Sequence, residues 1–373
     1  MKRRGRVPVG RRLQFADPRR ATLTVLGAAA SLLLVLVLGG IFAGAVDRVT
    51  YYIRTSPADV FVSQAGVRTM HMSASALPAD IATDAARVPG VAWTSRIGFA
   101  SGSLAGPGGR QLTYLIGYDP TSGRGGPARL VAGRAPRLGE AVLDEQAADQ
   151  LGVRLGTRFT VLGAPVTAVG LSSGGSSITN TTVFVGLDTF AGIRGPQPAY
   201  VLVGTTPGVD PDRVARRLER ALPAVTAQTR EEFAESEARV VTDMSADLLR
   251  MMSTIGLLIA LAVIALGLVT ATLNRLHDFA VLKALGSTTR RLAGAVAVQV
   301  AWTVALATAV ATGAAVVLAQ VLPAVAPAVD IVITPAAVVR VASLTVVVGL
   351  VAALWPLRRI AAVDAATAFR EDR

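Results

Sequence analysis

Three stretches of this chain hold residues that could do chemistry. Gly170-Leu-Ser172-Ser-Gly174 has the Gly-x-Ser-x-Gly spacing that presents a serine nucleophile on a sharp turn. A hydrolase of that type needs a histidine later in the chain. The later one here, His277, lies beyond a long apolar run, so the stretch reads as a Gly/Ser-rich turn between strands. Met70-His71-Met72 offers two thioethers and an imidazole, donors that suit haem or copper. With no second cluster to complete a ligand set, it reads as a strand surface. The third stretch, Asn274 to Arg291, is a candidate for contact rather than catalysis. The chain has two histidines, His71 and His277, and no cysteine. That excludes disulfides, thiolate metal sites and cysteine nucleophiles, and leaves the redox compartment open. A phosphate-cradling Gly-x-x-x-x-Gly-Lys-(Ser/Thr) loop is absent, since Lys2 and Lys283 both lack the glycines before them. No catalytic, metal or cofactor site is expected, and any ATP hydrolysis must come from a separate subunit.

The elements that would position these residues are set by charge and hydropathy. The chain is 52% apolar yet carries a net charge of +12, a mixture suited to a membrane protein. Residues 1–46 hold eight basic residues against one acidic, residues 47–247 hold nineteen of each, and residues 248–373 hold ten against five. The large polar region is therefore neutral, and the excess flanks apolar runs as positive-inside bias requires. No basic face interleaved with aromatics appears, which argues against nucleic acid as a partner.

The chain divides accordingly. Residues 1–21 form a basic tail, and 22–46 an uncharged run long enough to span a bilayer. Ala43-Gly44-Ala45 looks like a signal cleavage site, but the run exceeds a signal h-region and reads as a retained span. Gly40 and Gly44 make a Gly-x-x-x-Gly pair fit to seat a partner helix. Residues 47–247 regain charges and turn signals. Val60-Phe-Val-Ser, Val91-Ala-Trp-Thr, Leu112 to Tyr118 and Tyr200-Val-Leu-Val read as strands. Leu77 to Val88 reads as a helix with Pro78 in its first turn, and Asp210-Pro211 opens a second. The result is an α+β unit of ferredoxin-like type with a β-rich insertion at about 126–197.

A stalk and second span follow over 248–273 as one continuous helix. A cytoplasmic segment occupies 274–291, a third span 292–322, an outer loop 323–335 and a fourth span 336–356, stopped by Pro356. A cytoplasmic tail of 357–373 closes the chain. In the third span Gln299, Trp302 and Thr303 read as contacts to a neighbouring helix. The expected fold is an α-helical membrane protein with four transmembrane helices and an extracytoplasmic α+β domain, both termini inside.

Within 274–291, Phe279, Leu282 and Leu285 recur at helical spacing, and Gly286 stands where a left-handed cap would close the helix. Arg275, Asp278 and Ala280-Val-Leu-Lys283-Ala-Leu-Gly286 resemble the coupling segment of the FtsX/MacB-type ABC transporter permeases. Asp278 stands where that family has Glu, and Lys283 where it has Arg. Ala58 to Ser63, Val88-Pro-Gly-Val and the closing Pro356-Leu-Arg-Arg-Ile resemble the same family, with Ala365 in place of its usual proline. FtsX-like permease character is thus expected over 250–370, and a MacB-like periplasmic core domain over 47–247. The resemblance implies an ABC ATPase subunit as partner, contacted by Phe279, Leu282 and Leu285 with Asp278 and Lys283 at the rim. It also implies a second permease copy or paralogue, a bacterial cell membrane location, and efflux of an amphiphile (lipid, peptide, drug or haem) by mechanotransmission. The alternative is an FtsX-like relay that transports nothing and activates a cell-wall hydrolase or sensor.

Overall fold

The computed structural model describes residues 18–176, 180–273, 288–325 and 329–362. The coupling segment residues Asp278, Phe279, Leu282, Lys283, Leu285 and Gly286, together with His277, lie outside them.

Among the described residues four helices are long and apolar enough to cross a membrane, with apolar windows at Ala21–Thr55, Arg250–Gly267, Ala297–Pro323 and Pro335–Ala353. They belong to α1 (Pro18–Thr55), α6 (Arg230–Leu273), α7 (Thr289–Val325) and α8 (Pro335–Ala362). Small residues let them approach. A Cβ at Gly27 would lie 2.9 Å from Val263, one at Gly256 would lie 2.5 Å from Val35, and one at Gly267 would lie 2.5 Å from Thr24. Numbers rise along α1 as they fall along α6, so the two pack antiparallel. Leu32, Ala260, Ile264, Ala307 and Ala311 fill the centre of the bundle. Leu26, Leu34, Leu258 and Leu266 face outward, the arrangement expected where lipid is the solvent. Helix α8 runs through Pro356 to Ala362 rather than stopping there. A proline removes one N–H and crowds the preceding turn, and membrane helices tolerate that.

The outer domain has a ferredoxin-like half of β1 (Val60–Gln64), α2 (Ile81–Ala86), β2 (Val91–Gly106), β9 (Tyr200–Thr205), α5 (Pro211–Ala221) and β10 (Val225–Thr229). Its strands lie in the order β10-β1-β9-β2, all antiparallel. Period-two alternation sends Val60 and Val62 toward Ile81, Val214 and Leu218 on the helices, while Phe61 joins Tyr200 and Phe233 on the other face. Both faces are covered, so the strands read as continuous apolar runs. Helix α5 starts as its sequence predicts, with Pro211 in its first turn and the Asp210 carboxylate accepting the Asp212 N–H at 3.1 Å. Helix α2 is shorter than the expected 77–88. Leu77 is drawn into the core, and the Pro78 carbonyl accepts the Ile81 N–H in a turn that precedes the helix.

Between β2 and β9 lies the insertion, comprising β3 (Gly109–Tyr118), β4 (Leu130–Gly133), β5 (Glu140–Asp144), α3 (Glu145–Leu151), β6 (Arg158–Val161), β7 (Ala164–Ser172), β8 (Asn180–Gly186) and α4 (Leu187–Arg194). Its sheet begins at β3, ahead of residue 126. Strand β2 belongs to both halves: residues 91–97 pair with β9 and residues 98–106 with β3. Gly98 and Gly117 sit side by side at that changeover, where a Cβ at either would lie within 2.5 Å of the Phe190 side chain.

Candidate functional site

Helices α1 and α6 both continue from apolar spans into the outer domain, and their roots there are chemically different. The α6 root is built around Phe233 and Glu237, one helical turn apart. The Phe233 ring stacks on Phe61 at 5.0 Å and 20°, with Tyr200 at 5.9 Å. Glu237 is 1% exposed. One of its oxygens accepts the Met70 N–H at 2.6 Å, and the other meets His71 Nδ1 at 2.7 Å and the His71 N–H at 3.3 Å. A buried carboxylate is costly unless paired and hydrogen-bonded, and here both oxygens are occupied. Its charge is felt nearby. Burial first, and then Glu237, hold the phenols of Tyr114 and Tyr200 above their ordinary values. Tyr200 Oη also donates to the Thr69 carbonyl at 3.1 Å, so the loop ahead of α2 is fastened at successive residues. The root opens with a capping box, in which the Glu232 carboxylate accepts the Thr229 N–H and the Thr229 hydroxyl accepts the Glu232 N–H.

The α1 root reaches toward the insertion through polar groups. Arg48 donates to the Ser176 carbonyl and to Gln146 Oε1. Tyr52 Oη donates to the Gly125 carbonyl at 2.9 Å, and its ring lies 6.1 Å from Phe184. Tyr51 packs under Gly174, whose φ is +86° and whose Cβ, if present, would lie 2.5 Å from the Tyr51 ring. Glycine is therefore required there twice over, by conformation and by space. The loop that Arg48 holds is itself fixed by buried Asp144. That carboxylate accepts from the Gln146 N–H, the Gly175 N–H and the Ser176 hydroxyl at 3.1, 2.8 and 2.5 Å. The two roots meet at Arg230, which donates to the Ser56 carbonyl at 3.1 Å.

The residues singled out from the sequence fall into this frame unevenly. Ser172 is 1% exposed at the end of β7, in register with Asp144 of β5, and its hydroxyl finds no partner. Neither an attacking geometry nor a histidine beside it is present among the described residues. Met70 is in the core at 1% exposure while Met72 is 62% exposed, so the two thioethers do not converge with His71. The stretch is a bend rather than a strand surface, because Glu237 pulls two successive N–H groups to one side. Among the described residues no group of three or more His, Asp and Glu is placed to hold a metal. Gly40 admits the chain just ahead of α8: its carbonyl accepts the Val332 N–H at 3.0 Å, and a Cβ would lie 2.6 Å from Ile331. Gly44 is buried one turn on. Thr303 is buried on α7, with Trp302 exposed beside it.

Glu237, Arg48 and Asp144 were missed as site residues. The sequence signal for Glu237 was an acid four residues after Phe233, on the helix face that also carries the apolar residues. Arg48 gave no such signal, because its partners Gln146 and Ser176 lie about a hundred residues away or more, and Asp144 offered only a local helix cap, with its contacts to Gly175 and Ser176 lying 31 and 32 residues on.

Two family models agree with this architecture. The family model described as MacB-like periplasmic core domain matches residues 21–221, and the one described as FtsX-like permease C-terminal matches residues 250–365. A protein of Mycobacterium bovis named as an uncharacterized ABC transporter permease is 25% identical over 353 residues, 94% of this chain and 95% of that one. A Mycobacterium tuberculosis H37Rv protein of the same description matches equally. The crystallised periplasmic region of MacB from Actinobacillus actinomycetemcomitans is 14% identical, with 49% of this chain and 94% of that one covered and a TM-score of 0.38.

Proposed function

This chain belongs to the MacB/FtsX family of ABC transporter permeases, and from that premise we propose that it is the permease subunit of a dimeric exporter driven by a separate ATPase. The family implies the ATPase partner; the pairing with a second permease copy, the export direction and an amphiphilic cargo are our reading. The observation that carries it is the continuity of α1 and α6 from apolar spans into two unlike roots. A tilt imposed on the two helices at their inner ends would reach the ferredoxin-like half through Phe233 and Glu237 and the insertion through Arg48 and Tyr52. Helix α6 has 44 residues, about 66 Å at 1.5 Å per residue, roughly twice the hydrocarbon thickness. A helix of that length serves as a lever as well as a span. ATP-driven closure of the ATPases would enter through the 274–291 segment, with Phe279, Leu282 and Leu285 as apolar contacts and Asp278 and Lys283 at their rim. Both termini and that segment are assigned to the cytoplasm from the distribution of basic residues. Gly40 seats this chain's own Ile331 and Ile333, so the Gly40/Gly44 pair is not assigned to a second copy.

The test is co-purification of the full chain with the ATPase encoded beside it, comparing wild type with the Phe279→Asp/Leu282→Asp double variant. Loss of the ATPase from a variant that still folds and pairs is the expected result. Unchanged ATPase binding would move the interface elsewhere. Failure to find any ATPase partner would overturn the exporter and leave the non-transporting relay.

A further inference from the structure

Between α2 of the ferredoxin-like half and α4 of the insertion opens a cleft of about 670 Å³, within the range of small-molecule sites. Neither root accounts for its lining. Arg96 from β2, Arg124 from the loop after β3 and Arg137 from the turn before β5 all line it, and none of the three pairs with a carboxylate among the described residues. Arg124 lies over the Trp93 ring at 4.3 Å, which holds its guanidinium in a fixed plane.

The two carboxylates that also line the cleft have local work. Asp119 accepts the Thr121 N–H at 3.0 Å within its own loop. Asp188 sits in the first turn of α4, where the helix dipole favours an acid. Ser95 of β2, 8% exposed, also lines the cleft. Leu138, 77% exposed, and Leu187 also line the cleft.

Three guanidiniums on separate segments suit an anion that offers three oxygens and more than one charge. The exposed leucine beside them suits a short apolar attachment. We propose that this cleft binds a phosphate-bearing headgroup carried on a molecule with an apolar portion. This names the chemistry of the amphiphile in the exporter reading, and rests on that reading only for calling the ligand cargo. Its two walls belong to the ferredoxin-like half and the insertion, so under this proposal a shift of one half against the other would change the width of the cleft. A bound headgroup bridging both walls is therefore released when they part.

The experiment uses the full chain in nanodiscs, without ATPase or nucleotide, in a Trp302→Phe/Trp355→Phe background that leaves Trp93 as the sole tryptophan. Hexyl phosphate, inorganic phosphate and hexyltrimethylammonium are titrated while Trp93 emission is followed. Calorimetry on the unmodified chain reads the same binding if the background variant fails to fold. Hexyl phosphate is expected to give a saturable change at least about tenfold tighter than inorganic phosphate, with none from the ammonium probe. Arg96→Ala/Arg137→Ala is expected to weaken it by about tenfold or more at an unchanged melting temperature. No saturable response, an equal response to the ammonium probe, or unchanged affinity in the double variant would each overturn the site. Inorganic phosphate binding as tightly as hexyl phosphate would overturn the apolar attachment. Because no ATPase is present, a negative result leaves the permease reading standing, and a failed ATPase co-purification leaves this result standing.

Discussion

The α6 root is fastened through the interior by an aromatic stack and a buried carboxylate, whereas the α1 root adds to one buried side chain, Ile53, a set of polar groups that reach loop carbonyls. Phe233 and Glu237 are both about 1% exposed, and of their partners Phe61, Tyr200 and Met70 are as buried while His71 is partly exposed. Arg48 and Tyr52 are half-buried, and they bond to backbone carbonyls at loop positions. An aromatic stack and a fully satisfied buried carboxylate lose packing and electrostatics together when displaced. Side-chain donors resting on loop carbonyls can be exchanged for water. The contrast teaches that two helices from one bundle can hold one domain with different stiffness, so an equal tilt at both need not move both halves equally.

Substitutions at the two roots test that contrast. Phe233→Ala removes a stacked ring from the shared core and is expected to cost ~3–5 kcal/mol. For a domain of this size that lowers the melting temperature by roughly 6–20 °C in differential scanning calorimetry of the full chain. Glu237→Gln keeps the shape but loses the charge and turns an amide N–H₂ toward donors that need an acceptor. About 2–3 kcal/mol is expected, with faster amide exchange at Met70 and His71 as the diagnostic readout. Equal exchange in variant and wild type would mean that the loop is held by something other than Glu237.

Arg48→Ala should cost less, about 1–2 kcal/mol, with proteolysis rising at 174–176 before any global melting. Tyr52→Phe removes one hydroxyl bond and is expected to cost about 1 kcal/mol. Should either α1 variant destabilise the domain as much as Phe233→Ala, the two roots are equally stiff and the contrast fails. On the proposed exporter reading, a transport assay of the complex with its ATPase sharpens the point. Arg48→Ala is expected to slow transport with ATP hydrolysis retained, since the insertion would lag behind its helix.

The smallest effect concerns acid. Hydrogen bonding from Arg134, opposed by burial and helped by the Arg137 N–H, lowers the Glu140 carboxyl to about 2. A carboxyl lowered on folding stabilises above its unfolded value near 4, and that contribution is lost as pH falls from about 4 toward 2. Glu140→Gln should flatten this part of the melting profile and lower the melting temperature slightly at pH 7, where the wild-type contribution is fully present, so that variant and wild type converge toward pH 2. The pair is partly solvent-exposed, so salt should weaken it in wild type.

Much of the fold was legible because it rests on local rules. Asp210-Pro211 starts a helix wherever it occurs before an amphipathic run, and the uncharged run from Thr22 to Ala45 has few options other than a bilayer. Leu77 shows where local rules fail. Its helix-like neighbourhood predicts an earlier start for α2, but the core takes its side chain and the chain turns at Pro78 first. Met70-His71-Met72 shows the same for a candidate site, since the stretch read as a strand surface for want of a second ligand cluster, and a carboxylate 166 residues away from His71 holds it as a bend.

By itself the sequence determined the four apolar helices, the neutral outer domain, the ferredoxin-like succession of strands and helices, and the family. Those follow from composition, periodicity and capping, which act over a few residues. Only the tertiary structure decided that β2 serves two sheets, that Glu237 closes on the loop ahead of α2, and that Arg96, Arg124 and Arg137 line one cleft. Each depends on groups far apart in the chain, brought together by burial of apolar faces that many sequences satisfy equally well. Hydrophobic patterning specifies that a face is buried; which polar groups then meet is settled by register and packing, and no short-range pattern carries that information.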